Sequence, residues 1–115
     1  MNSTFVSLLT PMSRRRGVVG CVVADAHDGI VVEAVVRQGV NANTVAALAA
    51  SLYGGAVESA RAAEMGEVGF LRLEAERGHV FAIGSGELVL VVIADVSVNV
   101  GQLRVDMLKA RENLT

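Results

Sequence analysis

The chain has no tryptophan, one tyrosine and three phenylalanines among its 115 residues. Surfaces for single-stranded nucleic acid are built from stacking rings, and a formal net charge of -2 supplies no basic face for a phosphate backbone. Nucleic acid is not an expected partner. A single cysteine, Cys21, excludes a disulfide framework and a cysteine metal site. Set inside an apolar run, Cys21 reads as a buried, inert thiol. Long hydrophobic runs are missing too. The longest, such as residues 88–94, fall far short of the ~20 residues a membrane helix needs, so membrane insertion is not expected. The basic residues Arg14, Arg15 and Arg16 follow the apolar start instead of preceding it, the wrong order for a secretory signal. A cytoplasmic protein is the expectation.

Apolar surface is what the chain has in plenty. Hydrophobic residues make up 52% of it and the mean hydropathy is +0.50. The length suits one domain, residues 1–115, with a core that needs no metal or disulfide. Apolar surface beyond that core has to be covered by another chain.

Phe5, Leu8, Leu9 and Met12 recur at helical spacing, with Asn2, Ser3 or Thr4 available as a cap. Pro11, the only proline, is expected to end this helix near Thr10 or to restart it. Residues 17–25 form a valine-rich run suited to a strand buried on both faces. Asp28-Gly29 marks a hairpin turn, and residues 30–37 form the returning strand. Asn43 is the expected cap of the next helix. Met65-Gly66 is expected to end that helix, with the glycine left-handed. From Leu71 the residues alternate, Leu71, Leu73 and Ala75 against Arg72, Glu74 and Glu76. Residues 67–76, 79–84 and 87–94 read as a meander, with 87–94 the most apolar and so central. Val100, Leu103, Met107, Ala110 and Leu114 form one stripe on a last helix, capped by Ser97 or Asn99. The fold class is therefore α+β, a single five-stranded antiparallel sheet with helices on both faces, in the order α-β-β-α-β-β-β-α with profilin-like layering.

Within this order the helix at residues 44–64 is unusual. It holds eight alanines and carries almost no charge before Glu58. Val45, Leu48, Leu52 and Val57 are expected to face the sheet. Ala46, Ala49, Tyr53, Ala56 and Ala60 are left for a second surface, and a helix with two apolar faces needs two partners.

No catalytic set emerges. His27 and His79 have no cysteine or carboxylate at metal-ligand spacing. Gly84-Ser85-Gly86 lies between two strands, where neither a phosphate loop nor a nucleophile elbow is built. No cofactor and no enzymatic activity are expected; a binding or scaffolding domain is.

The run Gly17-Val18-Val19-Gly20-Cys21-Val22-Val23-Ala24-Asp25, followed by Asp28-Gly29-Ile30-Val31-Val32-Glu33-Ala34, resembles the opening of the Roadblock family of dynein light chains and GTPase regulators. The small-residue helix, and the ending at residues 88–94 with Val100-Gly101-Gln102-Leu103-Arg104, are similar to it as well. The resemblance covers residues 5–114, and Pro11 departs from it. It implies a homodimer whose sheets join edge to edge along residues 67–76, with the second helices side by side. The interface would then hold Ala46, Ala49, Tyr53, Ala56 and Ala60 together with Phe70, Arg72 and Glu74. It also implies a small Ras-like GTPase as partner, for which Glu58, Arg61 and Glu64 remain. A structural adaptor without GTPase regulation is the alternative. No arginine stands out as a catalytic finger.

Overall fold

The structure, a computed structural model, describes residues 4–114. Its elements are α1 (Thr4–Ser13), β1 (Val18–Asp25), β2 (Val31–Val36), α2 (Ala42–Ala62), β3 (Leu71–Ala75), β4 (Gly78–Ser85), β5 (Leu88–Asp95) and α3 (Val100–Arg111). The strands form one antiparallel sheet in the order β2-β1-β5-β4-β3. The expected order and class are what is observed. β5 is central, as its unbroken apolar sequence demands, since both its faces are covered. The edges are β2 and β3.

Alternation along the strands sends two sets of side chains to opposite faces. On one face Cys21, Val23, Phe81, Ile83, Leu90 and Val92 pack against Leu9 and Met12 of α1 and Leu103 and Met107 of α3. On the other, Val22, Ala24, Ala82, Val89 and Val91 pack against Ala46, Ala49 and Ala50 of α2.

Two local expectations need correction, at Pro11 and at the cap of α2. Pro11 lies inside α1, which continues to Ser13. The proline orphans only the Ser7 carbonyl, and Ser7 is exposed, so water can serve it. The Thr10 hydroxyl donates to the Val6 carbonyl at 2.7 Å, and the end closes with an Arg14 N–H to Pro11 carbonyl bond of 3.3 Å. The cap of α2 is Asn41, not Asn43; its side-chain oxygen accepts from the Thr44 N–H at 3.0 Å. Asn43 therefore falls in the first turn. For α3 the cap is Asn99, one of the two residues expected, which accepts from the Gln102 N–H at 2.9 Å. Asn2, Ser3 and the Thr4 side chain lie outside the described residues.

Candidate protein interface

Against the expectation, α2 turns its small residues toward the sheet. Ala46 is fully buried and Ala49 is 3% exposed, both against the chain's own valines. Tyr53 packs into the same cluster, and Ala56 and Ala60 are half-buried. Leu48, expected inside, is 68% exposed, and Leu52 is 38% exposed. The cause is a size rule. The sheet beneath α2 is already bulky with Val22, Val89 and Val91, so at the centre of the contact alanines let the helix come close, while Val45, as expected, and Tyr53 pack at its margin. Two glycines seat it. A Cβ on Gly29 would lie 2.7 Å from Ala47 Cα, and one on Gly84 would lie 2.5 Å from Tyr53 Oη. Ala46 and Ala49 are thereby buried within the chain, while Tyr53 is half-buried and lines the groove between α2 and the β4–β5 turn. The outward stripe is instead Leu48, Leu52, Gly55, Ser59 and Ala62, all exposed and spaced at i, i+4, i+7, i+11 and i+14. A Cβ on Gly55 would meet nothing within 4 Å, so the fold itself makes no use of that glycine.

Phe70, also in the expected set, is half-buried against the chain's own core. Its ring sits 5.7 Å from that of Phe81, with the Arg104 guanidinium 5.2 Å from its centroid. Arg72 and Glu74 stay exposed on β3, joined by an ion pair of 2.9 Å. β3 uses one side of its backbone on β4, where Arg72 lies opposite Phe81 and Glu74 opposite His79. On the α2 face, Leu71 is half-buried and Leu73 exposed.

Glu58, Arg61 and Glu64 come together on one wall of a groove of about 940 Å³, which runs between α2 and the β4–β5 turn at Ser85, Gly86 and Glu87. Glu58 and Arg61 form an exposed pair at 2.9 Å, which adds little stability and is free to exchange partners. Helix α2 ends in a Schellman motif: the Glu64 N–H donates to the Arg61 carbonyl at 3.0 Å and the Met65 N–H to the Ala60 carbonyl at 2.8 Å. The first left-handed residue is thus Glu64, at φ 58°, ahead of Gly66 at 85°. The residue in Met65's place usually folds back onto the helix. Here Met65 is 79% exposed, a side chain that sequence reasoning passed over. The late position of the glycine was the signal for it.

Reactive groups are scarce at these surfaces. Burial pushes the Cys21 thiol up to about 12, which keeps it protonated and unreactive. Among the described residues no group of three His, Cys, Asp or Glu side chains could hold a metal. His79 is buried with its ring stacked at 5.5 Å on Phe81. Among the described residues no helix is long and apolar enough to cross a membrane.

The sheet order and the two helical layers define a profilin-like α+β domain. The chain belongs to the Roadblock/LC7 domain family, whose model matches residues 5–94. It is similar to two uncharacterised proteins of Methanocaldococcus jannaschii, at 31% and 30% identity over 107 residues, 93% of this chain and 93% of each relative. Among solved structures it resembles a Roadblock/LC7 domain from Streptomyces avermitilis, with a TM-score of 0.84, 22% identity and coverage of 94% and 92% of the two chains. It resembles the gliding protein MglB from Thermus thermophilus equally in fold, with a TM-score of 0.84, 17% identity and coverage of 99% and 90%. Profilin IB of Acanthamoeba castellanii is more distant, with a TM-score of 0.58, 16% identity and coverage of 95% and 91%.

Proposed function

We propose that the chain, residues 1–115 acting as one Roadblock-like domain, is a non-catalytic, cytoplasmic homodimer that binds a small Ras-like GTPase and modulates its nucleotide cycle. The observation that carries the reading is the unfinished α2 face. An open sheet edge at β3 and an exposed apolar stripe on α2 lie on one molecule of a family in which pairing is expected. A second copy covers both. The packing of Leu103 and Met107 of α3 into the same core as Phe81 supports a single unit reaching beyond the matched residues. The groove beside Glu58, Arg61 and Glu64, with Met65 protruding next to it, is the surface assigned to the GTPase. Regulation would act through differential affinity: a partner that grips one nucleotide state better shifts the switch toward it, and equal affinity shifts nothing.

The test is capture on the immobilised protein with GTP or GDP present, followed by mass spectrometry. A Ras-like GTPase enriched in one nucleotide state, and lost with Glu58→Arg/Arg61→Glu, is the expected result. Equal recovery in both states removes the regulatory reading. Recovery of assembly subunits alone replaces it with a structural adaptor.

A further inference from the structure

Strand β3 carries an order of residues that is complementary to itself. It is a five-residue edge strand, Leu71-Arg72-Leu73-Glu74-Ala75, with no register shift against β4 and no proline. Nothing on it blunts strand addition except its two charges. Those charges are opposite in sign, lie on the same face and sit symmetrically about Leu73.

Two copies that join such an edge about a two-fold axis must run antiparallel, and side chains directly opposite each other must share a face. The axis therefore passes through a residue, so the available registers can be counted. With the axis at Arg72, the two Arg72 side chains face each other. With the axis at Glu74, the two Glu74 carboxylates do, and Arg72 would have to find Glu76 of the partner, which lies past the strand in the turn to β4. With the axis at Leu71 or Ala75, Arg72 has no carboxylate opposite it. At Leu73 alone, Arg72 faces the partner's Glu74 and Glu74 faces the partner's Arg72.

We infer that this chain pairs with a second copy along β3 in the register centred on Leu73, selected by two reciprocal Arg72–Glu74 ion pairs. The inference rests on the homodimer proposed above and specifies how it is aligned. Each Arg72 already holds its own Glu74 at 2.9 Å, so pairing makes a ring of four charges alternating in sign. Like charges directly opposite destabilise a sheet and opposite charges stabilise it, so the charges discriminate against the neighbouring registers. On the other face the exposed Leu73 meets the partner's Leu73. That is the face bearing the α2 stripe, and a two-fold perpendicular to the sheet keeps both α2 helices on it.

The experiment uses the full chain, Arg72→Glu, Glu74→Arg and the double variant, all followed by sedimentation velocity, with circular dichroism to confirm folding. Each single variant places like charges opposite twice in its homodimer, and should dissociate about tenfold or more readily than wild type. The double variant regains two opposite-sign pairs and should return to wild-type association. Mixing the two single variants should yield a one-to-one heterodimer in native mass spectrometry, since one chain then carries two glutamates and the other two arginines. Leu73→Cys supplies a ruler independent of charge: mild oxidation should join the two copies, because any other register holds these cysteines too far apart to bridge. Dimeric single variants as tight as wild type, a double variant that stays weak, or no cross-link in a dimeric Leu73→Cys protein overturns the register while leaving the dimer standing. A monomeric wild type overturns the dimer and the register together.

Discussion

Beneath α1 and α3 the sheet presents Phe81, Ile83 and Leu90, fully buried with Leu103 and Met107 closing over them. Beneath α2 it presents valines, and the helix answers with Ala46, Ala49 and Ala50. The first face is filled by large side chains from both layers and is complete within the chain. The second is made thin by small ones, is covered by a single helix, and leaves Leu48, Leu52 and Leu73 in water. Two clusters that share a sheet thus do different work: one supplies the core, and the other supplies a core together with a surface. The apolar excess of the sequence resides in that surface.

The difference should appear first as opposite responses to side-chain size. On the thick face, Phe81→Ala removes a fully buried ring and should cost about 3–5 kcal/mol in urea unfolding. On the thin face the damaging change is enlargement. Ala46→Leu has no space between α2 and the sheet and should cost about 1–3 kcal/mol. An Ala46→Leu protein as stable as wild type would show that α2 does not ride close to the valines, and the size rule would fail. Both effects exceed anything expected from the outer side of α2.

That outer side separates stability from association. Gly55→Ala places a Cβ in open space and should stabilise the folded chain by about 0.5–1 kcal/mol, the ordinary gain for removing a glycine from a helix interior. If the second copy's helix approaches at Gly55, the same variant should dissociate more readily in sedimentation. Leu48→Ser should change unfolding measured on the dissociated chain by no more than about 0.5 kcal/mol, as exposed substitutions usually do. Tighter association in either variant would count against α2 as part of the interface.

Most of the architecture was legible because it depends on period and punctuation. Alternation from Leu71 onward, Asp28-Gly29 between two apolar runs and the stripe through Leu103 and Met107 are signals carried by neighbouring residues, and each appears where expected. The facing of α2 was not legible, because it depends on what lies underneath. Leu48 and Leu52 look like core residues until the valines of β1 and β5 fill the same space. The intrachain contacts of Phe70 were not legible for a related reason: its partners, Phe81 and Arg104, are distant in sequence. Pro11 shows the opposite error, a strong local rule applied where an exposed carbonyl makes the exception cheap. The groove beside Glu58, Arg61 and Glu64 needed the β4–β5 turn as its second wall, which no local pattern in α2 announces.

The smallest expected effect concerns how the thick face is latched. The turn after β5 delivers Val98 and α3 onto that face, and Asp95 ties it. One carboxylate oxygen of Asp95 accepts from the Ser97 hydroxyl at 2.6 Å and from the Ser97 N–H at 2.9 Å. These bonds, the hydroxyl first, hold the Asp95 carboxyl below its ordinary value of 3.8, against desolvation in the other direction, with Arg37 and then Arg16 adding lesser contributions. A carboxyl whose folded value is depressed contributes stability that is fully present above its unfolded value and is lost as pH falls through the folded one. Asp95→Asn should therefore lower the urea midpoint slightly at neutral pH, and the gap from wild type should close as the pH drops below 3.8. A gap that widens on acidification would mean that the charge strains the turn, and the latch would have to be assigned to the backbone contact between Gly17 and Val98, where an added Cβ would lie 2.6 Å from the Val98 nitrogen.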